Sequence, residues 1–166
     1  MDAPISSNSQ RWLRILLIFS TIFSGFLAGE NFDRYFVQIP GFRHVDILCW
    51  AQYSKYADLG NGIFLYPIQA MGGFLLLLTS TIIIMRNKSA FESIRFPVYS
   101  ATFFAAWGLI LTIFAAPIML GLPKLGNDPK LLQQAFDNFH FYGFYRGIVQ
   151  MMTFVCCVWG LGRMEF

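Results

Sequence analysis

Apolar residues fall in four long runs, Leu13–Gly29, Ile63–Met85, Pro97–Gly121 and Phe144–Leu161, parted by segments where charged residues, glycine, proline and asparagine gather. A hydrocarbon core about 30 Å thick takes ~20 helical residues to cross. A helix also satisfies its own backbone N–H and C=O groups where lipid offers no partner. The pattern therefore predicts an all-α polytopic membrane protein. Residues 1–166 form a single four-helix transmembrane bundle with spans at about 12–30, 62–85, 97–121 and 141–161. Segments 31–62 and 122–143 read as long outer loops, and 86–96 as a short inner turn.

The loops carry their own signals. Met1–Gln10 reads as a polar tail. Ile39-Pro40-Gly41 reads as a turn. Val45–Ala57, free of glycine and proline, predicts a helix lying on the membrane, with Trp50, Tyr53 and Tyr56 at headgroup depth where amphipathic rings are favoured. Gly60-Asn61-Gly62 ends it. Asp128 followed by Pro129 marks a helix start, a capping carboxylate and then a proline at the first helical position. Leu132, Ala135, Phe136 and Phe139 continue at helical spacing, predicting one helix from Pro129 to Gly160 that starts outside the membrane and continues into it. Pro117, late in span three, predicts a kink.

Composition agrees. Charged residues make up 13% of the chain, about half the ~25% of a soluble domain, too few to solvate a globular surface. The net charge of +3 is unevenly placed. Arg11, Arg14, Arg86, Lys88, Arg95 and Arg163 flank the spans on one side, while Glu30, Asp33, Asp46, Asp58, Asp128 and Asp137 collect on the other. Short basic segments stay cytoplasmic, so both termini are expected inside. The basic excess is a topology signal, and no nucleic-acid partner is implied. The apolar run after Arg11 and Arg14 resembles a leader, but it lacks an A-x-A site and is long enough to span, so it reads as span one. Cys49 and the adjacent Cys156 and Cys157 fit no C-x-x-C or haem-attachment spacing and read as packing residues.

Few groups could carry chemistry. Gly25/Gly29 and Gly143/Gly147 form small-xxx-small stripes near the outer ends of spans one and four, predicting that these helices pack there. Beside them lie Glu30 and Arg146, with His140 six residues before Arg146. Ionisable groups at membrane depth are costly and face a partner or a wet cavity, so Arg146 is expected to point inward with Glu30 or Asp58 as its carboxylate; the bland alternative is an arginine that snorkels to the surface. Gln69 and Gln150 are neutral polar groups within spans, suited either to interhelical bonds or to a ligand. Trp50 and Tyr142 belong to an aromatic-rich outer end that suits a flat hydrophobic ligand. His44 and His140 lack ligand spacing, so no metal or haem is expected through them, and no other cofactor.

Ala116-Pro117-Ile118-Met119-Leu120, Gly126-Asn127-Asp128-Pro129, Phe136-x-x-Phe139-His140 and Arg146, with Ser24-Gly25-x-x-Ala28-Gly29 in span one, resemble the anthrone-oxygenase-like membrane proteins. This family has four spans, many bacterial members of unassigned reaction, and a name taken from members that oxidise anthrones to anthraquinones. The chain departs from its pattern at Ile118 and at Tyr142-Gly143. The resemblance implies an integral protein of a bacterial cytoplasmic membrane that oxidises a hydrophobic aromatic or quinone-like molecule without a cofactor. Arg146 would steady the anion, with His140 or Glu30 moving the proton, and Asp58, Trp50, Tyr142 and Gln150 would line the ligand site. Two other readings compete: a non-catalytic accessory subunit docked on a membrane-protein partner, and, third, a small-molecule transporter.

The charge asymmetry makes a direct prediction. A membrane-impermeant thiol reagent applied outside intact cells should label Asn127→Cys and leave Asn87→Cys unmodified; the reverse pattern would invert the topology.

Overall fold

The structure is a computed structural model that describes residues 7–164. Met1–Ser6, most of the predicted polar tail, lie outside the described residues, as do Glu165 and Phe166. Six α-helices and three short irregular turns follow one another: α1 (Ser7–Asp33), a π turn (Arg34–Gln38), α2 (Ile39–Phe42), α3 (Ile47–Tyr56), a second π turn (Ala57–Asn61), α4 (Gly62–Arg86), α5 (Glu92–Gly121), a 3₁₀ turn (Leu122–Leu125) and α6 (Pro129–Gly162). No strand occurs among the described residues.

Four continuous helical stretches, Asn8–Phe42, Ile47–Arg86, Glu92–Leu125 and Pro129–Gly162, are long and apolar enough to cross a membrane. The chain is thus an integral membrane protein built as a four-helix bundle. Each stretch has at least 34 residues, roughly 50 Å of helix against a hydrocarbon core of ~30 Å. The surplus extends the bundle beyond the bilayer at the end away from the described termini, here called distal. Much of what sequence pattern assigns to the 31–62 loop is consequently helical. Ile39-Pro40-Gly41 lies in α2, the reversal falls at Arg43–Asp46, and α3 continues through the second π turn into α4. Gly60 breaks that line with φ −83° and ψ −111°.

α1, α4, α5 and α6 stand in cyclic order, α1 diagonal to α5, and the α4–α5 seam has the sparsest contact of the four. Two apolar clusters hold them together. The proximal cluster packs Leu13 and Leu17 of α1, Leu77 and Ile84 of α4, Ile94, Val98 and Ala101 of α5, and Cys156 and Cys157 of α6. The distal cluster packs Ile39, Trp50, Ala51, Ala115, Met119, Leu122, Leu132, Ala135, Phe136 and Phe139. Trp50 is therefore buried edge-on against Phe136, ring centroids 5.1 Å apart, and is no headgroup anchor; Tyr53 and Tyr56 remain exposed. α3 folds onto the distal part of α6 because its small and aromatic positions, Trp50, Ala51 and Ser54, form one buried stripe.

The α6 start follows the sequence signal. The Asp128 carboxylate accepts from Lys130 N at 2.9 Å and Leu131 N at 3.3 Å, with Pro129 at the first helical position. α1 and α6 meet through side chains received by glycines. A β-carbon at Gly25 would lie 3.1 Å from the Phe154 ring, one at Gly143 2.8 Å from Tyr35 Oη, and one at Gly147 3.4 Å from Asn31 Cβ. Nothing lies within 4 Å of the equivalent point on Gly29, which faces outward. α5 runs as one helix through Pro97 and Pro117.

Replacing Asp128 by alanine should lower stability by about 1 kcal/mol, the usual value of a lost N-cap. Asp128→Asn should retain most of it, as read from denaturant titration of the reconstituted protein.

Candidate functional site

Between the two apolar clusters lies a polar layer. One inward stripe of α6 runs Leu132, Phe136, Phe139, Gly143, Arg146, Gln150, Thr153, Cys157, Gly160, three or four residues apart. Helical periodicity thus aims Arg146 at the bundle axis. α1 contributes Ser20, Ser24 and Asn31, the first π turn adds Arg34, and α4 contributes Gln69.

The layer opens into a cavity of about 480 Å³. Its polar lining is Glu30, Asn31 and Arg34 of the first stretch, Tyr66 of α4, Thr112 of α5, and Arg146 and Gln150 of α6. Leu27, Pro67, Ala70, Met71, Leu109, Ile113 and Ala116 form the apolar walls. The volume suits a small organic molecule, and the lining has the mostly apolar character with a few convergent polar groups that ligand sites share. Beneath it a space of about 30 Å³, bordered by Ser20, Ser24, Gln69, Gln150 and Thr153, has room and polarity for a water.

The charged groups are unequally compensated. Arg34 Nη2 donates to Asp58 Oδ1 in an ion pair, with side chains 17% and 7% exposed, and approaches Tyr66 Oη at 3.5 Å. Arg34 opens the first π turn and Asp58 lies in the second, and the pair joins the first stretch to the second across their seam. Arg146 has no such partner. Its Nε is buried without a hydrogen bond, and it forms no ion pair among the described residues. The guanidinium carbons of Arg146 and Arg34 each lie 5.7 Å from the Phe139 ring centroid, so one buried aromatic ring receives two cations. Glu30 stands on the α1 wall, its Oε1 accepting from Gln69 Nε2 at 3.0 Å; Gln69 Oε1 is buried without a partner. Asn31 Nδ2 donates to Gln150 Oε1 and to Leu27 O at 2.7 Å, tying α1 to α6 at the cavity floor.

Of the residues selected from sequence, Arg146, Glu30 and Gln150 meet in this cavity. Asp58 is bound to Arg34 instead of Arg146, because the second π turn brings it to α1. His140 lies outside the lining, one helical turn beyond Gly143, its ring stacked on Phe136 and tilted on Tyr35, whose hydroxyl donates to His140 O at 2.7 Å. Trp50 belongs to the distal cluster, and Tyr142 is stacked on Phe114 against that cluster. His44 is exposed at the reversal between α2 and α3. Among the described residues no group of three or more His, Cys, Asp or Glu side chains could hold a metal ion. Cys49, Cys156 and Cys157 are free thiols. Sequence reasoning missed Arg34 and Asn31, while Tyr66 belongs to the aromatic-rich outer end that suits a flat ligand. The signal was present for the first two, since Asn31 and Arg34 continue the Ser20, Ser24, Ala28 stripe, but Asp33 and Arg34 read as the start of a loop.

No protein-family model matches the chain, and comparison with curated proteins and with solved structures returns no match.

Removing one member of a buried ion pair leaves the other uncompensated, a loss of about 3–5 kcal/mol. Asp58→Ala should therefore destabilise the protein by about that much. The double variant Asp58→Leu/Arg34→Met should recover most of it, as read from a double-mutant cycle of denaturant midpoints.

Proposed function

We propose that the cavity binds a hydrophobic aromatic molecule with a phenolate or carbonyl oxygen, and that the protein oxidises it as anthrone oxygenases, which the chain resembles, do. One observation carries the reading. Arg146 is a cation without a counter-ion inside a membrane-embedded cavity whose other walls are largely apolar. An uncompensated arginine costs about 2.5–3.5 kcal/mol at the helix centre on insertion scales and less toward the interface, so its retention favours a charged or strongly hydrogen-bonding occupant. A flat apolar molecule with one anionic oxygen meets both halves of the site: rings against Leu109, Ile113 and Pro67, oxygen toward Arg146.

The chemistry follows from the same groups. An anthrone loses a proton from its methylene carbon to give a resonance-stabilised phenolate. Glu30 is the group in the cavity suited to accept that proton, and Arg146 to hold the resulting oxyanion. Dioxygen then takes the electrons from the carbanion form. The methylene becomes a carbonyl, one oxygen atom enters the product and the other leaves as water. His140, away from the lining, has no part in this scheme; Arg34, paired with Asp58, lines the distal edge.

The six basic residues Arg11, Arg14, Arg86, Lys88, Arg95 and Arg163 all lie at the proximal end of the bundle. That distribution supports placing this end, and both termini, in the cytoplasm of a bacterial cell, with the cavity in the outer half of the bilayer.

The test is oxidation of 1,8-dihydroxyanthrone by nanodisc-reconstituted protein, followed by quinone absorbance and oxygen uptake. Arg146→Ala should lower turnover by ~10²–10³, the usual loss for an oxyanion donor, with the protein still inserted and folded and partial recovery in Arg146→Lys. Glu30→Gln should lower it by ~10² or more. Wild-type protein that neither turns over nor retains the anthrone would overturn the reading, and stoichiometric co-purification of another membrane protein would then favour an accessory role.

A further inference from the structure

We infer that the cavity is reached sideways from the hydrocarbon of the bilayer, through the gap between the distal halves of α4 and α5. Its ligand is accordingly a bilayer-dissolved amphiphile that moves oxygen-first toward Arg146. The ligand chemistry rests on the reading above; the route does not.

Three observations carry the route. First, the cavity lies in the α4–α5 seam. Pro67, Ala70 and Met71 of α4 face Leu109, Thr112, Ile113 and Ala116 of α5 across it. The interhelical bonds that close this seam are all proximal: Thr81 with Thr102 at 2.8 Å, and Thr102 Oγ1 to Leu77 O at 3.3 Å. Nearer the distal end the facing residues include Ala70 and Ala116, too short to fill the space.

Second, the rim of the gap is apolar and outward. Met71 is 57% and Ile113 68% exposed, although both also line the cavity. Their outward neighbours Ile68, Leu75, Ile110 and Phe114 are exposed as well. On a membrane-spanning helix such a surface meets acyl chains, so the same two side chains touch lipid on one side and the cavity on the other.

Third, the ways from water are packed. Toward the distal end stand the Arg34–Asp58 pair and the cluster of Trp50, Ala115, Met119, Phe136 and Phe139, and the space around Asp58 and Ser54 is only about 20 Å³; the wider distal groove of about 520 Å³ beside Tyr35, Phe136 and His140 shares no lining residue with the cavity. Toward the proximal end, below the small polar space, Leu17, Leu77, Ala101 and Cys157 close the bundle. A water-soluble anion would have to cross one of these layers. A molecule already dissolved in the bilayer meets only Met71 and Ile113, and the unpartnered Arg146 supplies the polar end-point.

The route is tested by thiol chemistry, whatever the natural ligand proves to be. In a Cys49→Ser background, Thr112→Cys places a thiol on the cavity wall. In liposomes it should react with the lipophilic N-phenylmaleimide at least tenfold faster than the parent, whose remaining thiols Cys156 and Cys157 are buried. It should react with the charged reagent MTSET at least tenfold more slowly than Asn127→Cys. Adding Met71→Trp and Ile113→Trp should slow the maleimide at least fivefold while leaving MTSET at Asn127→Cys unchanged. MTSET reacting at Thr112→Cys as fast as at Asn127→Cys, or no reaction with either reagent, would overturn the inference, as would indifference to the two tryptophans. The ligand is probed separately by retention of 1,8-dihydroxyanthrone from preloaded liposomes. Lost retention with the thiol pattern intact would sink the proposed substrate and leave the route standing.

Discussion

A cation without a counter-ion in a membrane-embedded helix is the constraint around which this molecule is organised. Arg146 sits on the inward stripe of α6, between Gly143 above and Gln150 below, so the helix cannot turn it to lipid without exposing the glutamine and unpacking Phe139. The fold answers with a polar layer. Asn31, Gln69, Gln150 and Glu30 bond across helices at one level, and Arg34 with Asp58 closes the level above. Each would be expensive alone in hydrocarbon; together they share partners and surround an open volume.

The apolar clusters make such a layer tolerable. The proximal cluster, rich in Leu and Ile, holds all four spans and supplies close packing where no polar group interrupts it. The distal cluster does the same beyond the cavity and recruits α3, whose buried Trp50 and Ala51 cover the distal part of α6. The polar middle is therefore clamped from both ends, and its looseness is confined to one seam. That confinement explains how the bundle keeps a cavity of this size: close packing is relaxed where α4 and α5 present short side chains to each other.

The helical extensions are the second device. Helices that outrun the hydrocarbon can carry charged residues at their distal turns and still satisfy every backbone group. The π turns at Arg34–Gln38 and Ala57–Asn61 use this freedom. A single widened turn shifts all following side chains by about 100° of helical phase, and the Arg34–Asp58 pair is made where the two stretches carry these turns.

The sequence by itself determined the four spans, the all-α class and the start of α6 at Asp128-Pro129, because each follows from local spacing: apolar length, and a capping carboxylate before a proline. It also contained Glu30 and Gln150, marked by their cost at membrane depth. Only the tertiary structure decided which carboxylate pairs with which arginine, that Trp50 is core and His140 stands aside, that Gly29 faces outward while Gly25, Gly143 and Gly147 receive side chains, and that segment 31–62 is largely helix. Those outcomes turn on register between distant helices and on two π turns, and neither has a periodicity that a linear reading can detect.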